Sequence, residues 1–88
     1  MYKIVVTKQA LKDFPHLTSV GLDRKVKALI QILRENPFQN PPAYEKLVGD
    51  LEGLYSRRIN LQHRLVYQVY ETEKTVKIIS AWSRCENV

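Results

Sequence analysis

The side chains best suited to chemistry in this 88-residue chain lie between Leu54 and Tyr70. That stretch, LYSRRINLQHRLVYQVY, holds Arg57, Arg58, Arg64 and His63 and has no acidic residue. Guanidiniums on a rigid support make a site for phosphate oxygens, because the planar fork donates to two oxygens at once. The competing explanation is a solvated surface, since arginines on an exposed hairpin usually face water or pair with surface carboxylates. Upstream, the one piece of an irregular segment with any chemistry is Ala43-Tyr44-Glu45-Lys46-Leu47. Glu45 alone signals little, because most glutamates are simply solvated. Other chemistries find no support. His16, His63 and Cys85 are far apart, without metal-ligand spacing, and Cys85 sits on a polar tail with no identifiable base. No glycine-rich phosphate loop or dinucleotide fingerprint is present. What remains is acid–base and electrostatic chemistry on a phosphate, or binding without chemistry.

The elements that must position these groups can be read from the pattern. Leu54 to Asn60 and Arg64 to Tyr70 are two strands of a hairpin, joined by Leu61, Gln62 and His63. Leu65, Tyr67 and Val69 fall on one face; Arg64, Val66 and Gln68 fall on the other. A three-residue loop sets Asn60 opposite Arg64 and Arg58 opposite Val66, which puts Arg58 and Arg64 on one side. Tyr2 to Val6 is a first strand, and Thr7 can cap a helix that carries Ala10, Leu11 and Phe14 on one side. Pro15 should end or kink that helix, with a bend at Gly21. Leu22 to Glu35 is amphipathic, with Leu22, Val26, Leu29, Ile30 and Leu33 at helical spacing, and Asn36-Pro37 stops it. Phe38 to Gly53, with Pro41, Pro42 and Gly49, reads as irregular. Glu71 to Lys74 is a polar turn, and Val76 to Trp82 a last strand. Carrying the alternation through an odd-length turn puts Trp82 and Arg84 on the face of Arg64. The expected fold is α+β, β-α-α-β-β-β: a mainly antiparallel sheet with two helices on one face and the other face open.

Composition sets the frame. The length allows one domain over residues 1–88, and a hydrophobic fraction of 44% supports one modest core. A formal charge of +5, with pI about 9.5, favours an anionic partner. A single cysteine rules out an internal disulfide. No signal peptide or bilayer-length apolar run is visible, so a cytoplasmic location without membrane contact is the expectation.

Tyr55-Ser56-Arg57-Arg58-Ile59-Asn60, followed by His63-Arg64-Leu65-Val66-Tyr67, closely resembles the YSRRI…HRLVY signature of the YoeB/Txe toxins, in the RelE-like superfamily of toxin–antitoxin ribonucleases. The resemblance extends through the basic helix, Asn36-Pro37-Phe38, Tyr44-Glu45-Lys46-Leu47 and Ser80-Ala81-Trp82-Ser83. It implies a RelE-like fold and an mRNA endoribonuclease acting in the ribosomal A site. It implies a cognate antitoxin of the YefM/Axe kind, and it admits a homodimer. By the same resemblance Glu45 is the general base for the ribose 2′-hydroxyl, and Arg58 and Arg64 hold the scissile phosphate. The products would be a 2′,3′-cyclic phosphate and a free 5′-hydroxyl, with no metal or other cofactor. Arg57, His63 and Lys46 become further candidates for contact with RNA.

The sequence departs from the family at one consequential place. Relatives end the last strand with His-Tyr, the histidine serving as general acid; here Arg84-Cys85 follows Ser83. Arginine keeps its proton, with a pKa above about 12, and can aid a leaving oxygen by charge but not by proton donation. Losing an acid typically lowers a rate by about 10²- to 10⁴-fold. Gln62, in place of a carboxylate in some relatives, matters less. Three functions therefore compete: an active nuclease in which Arg84 acts electrostatically, a toxin-fold protein with weakened or absent catalysis that still binds antitoxin and ribosome, and a basic RNA-binding module.

Overall fold

A computed structural model describes residues 1–47 and 53–84, with Ser83 and Arg84 described as backbone only. Gly49, within the segment read as irregular, and the tail bearing Cys85 lie outside the described residues. In chain order the elements are β1 (Lys3–Val6), α1 (Lys8–Ser19), α2 (Asp23–Glu35), β2 (Glu45–Lys46), β3 (Leu54–Arg58), β4 (His63–Tyr70) and β5 (Thr75–Arg84). The five strands make one sheet in the order β1-β5-β4-β3-β2. β1 runs parallel to β5, and the other three pairings are antiparallel.

The helices follow from local rules, with one exception. The Thr7 hydroxyl accepts from the Ala10 amide at 3.2 Å, capping α1, and donates to the Ile79 carbonyl at 2.9 Å, which ties the cap to β5. α1 does not break at Pro15 but runs through it to Ser19. The proline deprives the Leu11 carbonyl of its helical partner, yet both residues face solvent and Leu11 is 56% exposed, so water can take the lost place. Leu11 is accordingly outside the core, and the buried side of α1 is Ala10, Asp13 and Leu17. The helix closes as a Schellman motif. The amide of Leu22 donates to Leu17 at 2.9 Å and that of Gly21 to Thr18 at 3.1 Å, with Gly21 at φ +76° where a Cβ would be strained. In α2 the buried positions are Val26, Leu29 and Leu33, as the 3.6 period requires.

Both helices cover one face of the sheet, where Leu17 and Leu33 pack with Leu65, Val76, Ile78 and Ala81. The part of that face nearer β3 is covered by the segment between α2 and β2. Phe38, Tyr44 and Tyr55 form a cluster with ring centroids 5.3–6.0 Å apart, and Tyr55 stacks on Tyr67 at 5.8 Å. That segment ends in a short strand rather than staying irregular throughout. Once past Pro42 the chain regains amide donors, and Glu45 and Lys46 pair with Ser56 and Tyr55.

Candidate active site on the open sheet face

The hairpin has a four-residue connection, Ile59 to Gln62, one longer than expected. Asn60 holds it: its side-chain oxygen accepts from the amides of Gln62 (2.9 Å) and His63 (2.8 Å). The Ile59 amide donates to the His63 carbonyl at 2.8 Å, and the register sets Arg58 opposite Arg64, not opposite Val66 as expected, with Ser56 opposite Val66. Directly paired residues share a face, so the two arginines lie side by side on the face away from the helices. Their like charges repel, which disfavours the empty site and favours an anion between them.

Glu45 joins them from the sheet edge. It pairs with Ser56, and its carboxylate reaches across β3 to Arg64, with Oε2 3.9 Å from Nη1. The buried Ser56, small enough for the two side chains to meet above it, is a site residue that the sequence did not single out. The Glu45 side chain is 64% exposed and that of Arg64 13%. A long, solvent-screened pair of this kind is worth about 0–1 kcal/mol. Glu45 is thus placed against the guanidinium but held weakly enough to exchange that contact for a proton. A carboxylate and two guanidiniums on one shallow surface can take a proton from a hydroxyl while neutralising an adjacent phosphate.

Three other sequence candidates lie elsewhere. Arg57 alternates with Arg58 and points to the helix side, where it is 1% exposed. Its Nε donates to the Tyr67 hydroxyl at 3.2 Å, Nη1 to the Pro42 carbonyl at 2.6 Å, and Nη2 to the carbonyls of Pro37 (3.0 Å) and Gln39 (2.8 Å). With those donors spent in the interior, Arg57 is not positioned to bind RNA phosphate. The Tyr67 hydroxyl donates in turn to Pro37 at 3.1 Å, and burial pushes its pKa up despite the opposing pull of Arg57. His63 shares the buried face of Leu65 and Tyr67; its ring stacks on Trp82 at 4.0 Å, and His16 of α1 flanks the same indole at 5.4 Å. An RNA contact for His63 does not fit a ring 6% exposed on the helix side. Lys46 pairs with Tyr55 and so belongs to the face opposite Glu45.

The end of β5 also departs from simple alternation. Tyr67 pairs with Ile78, Val66 with Ser80, and Arg64 with Ser83, so β5 carries extra residues at two irregularities. The two shifts cancel in parity, so the face is set by the turn: Tyr70 pairs with Thr75 across four residues, Glu71 to Lys74, an even number rather than the expected odd one. Trp82 therefore packs against the core rather than beside Arg64, and the bulges make Ser83 the partner of Arg64. Arg84 takes the register position opposite His63, not one on the face of Arg64 as an odd-length turn predicts, because the turn before β5 is even; its side chain lies outside the described residues. The buried Asp13 holds this region in place. Its Oδ2 accepts from the Ala81 amide at 2.9 Å, and its Oδ1 from Gln9 Nε2 at 3.0 Å. Nothing in the sequence distinguished Asp13 from a solvated helix carboxylate except its spacing with Ala10 and Leu17.

Comparison with known proteins bears on the family and the fold. Residues 6–84 match the family described as the YoeB-like toxin of bacterial type II toxin-antitoxin systems. The chain is 32% identical over 81 residues to toxin YoeB of Streptomyces coelicolor, covering 90% of this chain and 94% of that one. Among solved structures, a YoeB/ParE toxin from Agrobacterium tumefaciens superposes with a TM-score of 0.83 at 28% identity, covering 93% of this chain and 98% of that one. The toxin in a heterotetrameric YoeB-YefM complex from Staphylococcus aureus gives a TM-score of 0.79 at 31% identity, covering 96% and 98%.

Proposed function

Since the chain belongs to the YoeB-like toxins of bacterial type II toxin-antitoxin systems and has their α+β, RelE-like fold, we propose that it is an endoribonuclease that cleaves ribosome-bound mRNA. The observation that carries this reading is the meeting of Glu45 with Arg64 at 3.9 Å beside Arg58, on a sheet face that the helices leave open. Glu45 takes the proton of a ribose 2′-hydroxyl, whose oxygen attacks the adjacent phosphorus. Arg64 and Arg58 neutralise the charge gathering on the phosphate oxygens as the bond to the 5′-oxygen breaks. The products are a 2′,3′-cyclic phosphate and a 5′-hydroxyl end. The nucleophile is the substrate's own, so the protein need supply only a base, fixed positive charge and a proton for the leaving oxygen.

A second reading is favoured by the residue at position 84. Arginine there provides charge but no proton, so this chain is a slow nuclease, or a toxin fold that binds the ribosome and antitoxin without efficient cleavage. The antitoxin partner we infer is YefM-like, by analogy with the Staphylococcus aureus complex. Its acidic side chains would occupy the place between Arg58 and Arg64 that RNA phosphate otherwise takes.

Single-turnover cleavage of ribosome-bound mRNA tests the proposal. Glu45→Gln and Arg64→Ala should each lower the rate by about 10²-fold or more while ribosome binding survives in Glu45→Gln. Cleavage by Glu45→Gln at the parental rate would remove Glu45 from the mechanism. No cleavage by the parent, with intact ribosome binding, would favour the second reading.

A further inference from the structure

We propose that Arg57 is a positioning residue for Glu45: it holds the loop before β2 in the one conformation that delivers the carboxylate to the open face. The inference rests on the nuclease reading for its catalytic consequence, though not for its structural one.

A guanidinium buried on the core side of a sheet is an expensive choice. Taking a charge out of water disfavours it by several kcal/mol, and an apolar side chain of similar size would pack there with less penalty. No carboxylate among the described residues forms an ion pair with it. What it offers instead is a planar set of donors able to serve several acceptors at once. Those acceptors are the carbonyls of Pro37, Gln39 and Pro42, spread along a segment with no strand ladder of its own. Three of its residues, Pro37, Pro41 and Pro42, have no amide to contribute to one. Arg57 thus stands in for the ladder.

The path from there to Glu45 is short. From Pro42, held at 2.6 Å, three residues of chain lead to Glu45, a reach of about 10 Å at most. Tyr44 lies within that reach, its ring centroid 5.1 Å from the Arg57 guanidinium carbon and packed against Phe38 and Tyr55. Fixing Tyr44 on the core side sends its neighbour Glu45 to the other side, because successive side chains in an extended chain alternate. β2 as described is two residues long and, among the described strands, pairs only with β3, too little to hold this orientation unaided. Arg57 and Arg58 are therefore adjacent in sequence but work on opposite sides of the sheet: one sets the base, the other faces the phosphate.

The test combines hydrogen exchange with kinetics on the full chain. The Leu47 amide, which donates to Leu54 at 2.9 Å, reports the docking of β2, and amides between β4 and β5 report the rest of the sheet. Arg57→Lys keeps the charge but cannot span three carbonyls. It should lose about tenfold or more of the protection at Leu47 while β4–β5 protection stays within about threefold. Its kcat for cleavage should fall about 10- to 100-fold with KM within about threefold, as expected when a catalytic group is misplaced and binding is not. If Arg57→Lys does not fold, Tyr44→Leu, which removes the ring beneath the guanidinium, should show the same pattern in smaller measure. Unchanged protection at Leu47, a uniform loss across the sheet, or an unchanged kcat in a chain whose β2 has undocked would each overturn the proposal. If the parent does not cleave, the exchange result still decides whether Arg57 docks β2, and the nuclease reading fails separately.

Discussion

Replacing Asp13 gives the sharpest test of how the helices set the site. The carboxylate is buried, and it accepts from the Ala81 amide at 2.9 Å where β5 departs from regular pairing. In Asp13→Ala that amide is left buried without an acceptor, worth about 1–3 kcal/mol, and Gln9 Nε2 loses a partner that solvent replaces. Relief from burying a charge offsets part of this. A net loss of about 1–2 kcal/mol follows, or about 4–16 °C in Tm for a domain of this size. Asp13→Asn retains an oxygen for Ala81, and the Gln9 amide can turn to accept from the new NH2, so its loss should stay under about 1 kcal/mol. Urea unfolding checks both, with the m-value required to remain constant. If Asn and Ala are equally destabilising, the negative charge of Asp13 matters rather than its geometry. If neither destabilises, the bulge of β5 does not depend on the helix at all. Because that bulge decides which β5 residue faces Arg64, Asp13→Ala should also impair any function of the open face.

Other expectations concern charge and protons. The Tyr67 pKa is raised above its ordinary 10.0 by burial, so the neutral phenol stabilises the fold fully below pH 10 and that contribution is lost as pH rises through the raised value. Tyr67→Phe should flatten the alkaline limb of a stability-versus-pH curve, and an unaltered limb would mean that other groups cause it. Binding to ribosomes or RNA should weaken with salt, and Arg58→Ala should reduce the slope of log K against log salt by about 0.7, one single-strand phosphate contact; an unchanged slope would remove Arg58 from the phosphate site. Arg84→His should raise single-turnover cleavage by about 10²- to 10⁴-fold by supplying a proton to the leaving oxygen. If Arg84→His leaves the rate unchanged while Arg84→Ala abolishes it, Arg84 itself is the working group.

Much of the architecture is legible from residue pattern. Val26, Leu29 and Leu33 declare the buried side of α2, and Leu65 and Tyr67 declare that of β4, because burial on one face forces a period. The shared face of Arg58 and Arg64 also follows from alternation, though in a register shifted by two residues, with Arg58 opposite Arg64 instead of Val66; a shift of two keeps the face, and the Asn60 side chain holds the connection that sets it. The same alternation should have separated Arg57 from Arg58: adjacent strand residues cannot face the same side. Arg57 reads as a surface charge because the acceptors that make its burial tolerable, backbone carbonyls 15 to 20 residues upstream, carry no sequence identity. The bulges of β5 are silent for a similar reason. Val76 to Trp82 has neither glycine nor proline, and its irregularity is imposed by Asp13 and Thr7 from another element. β2 is too short for any period to show.

The placing of β5 between β1 and β4 has a consequence for how the molecule comes into being. β1 is the first of the described strands to be synthesised, yet its neighbour in the sheet, beginning with Lys3 beside Thr75, is the last of them to follow. Loop closure over such a separation is slow, and until it occurs β1 exposes an unsatisfied edge and α1 lacks the strand on which it packs. The hairpin of β3 and β4, by contrast, can close locally and early. A nascent chain would therefore display Arg58 and Arg64 before it possesses a core to hold them rigid. The arrival of β5 joins the two halves in one step, so that a partly made chain carries the charges of the site without its precision.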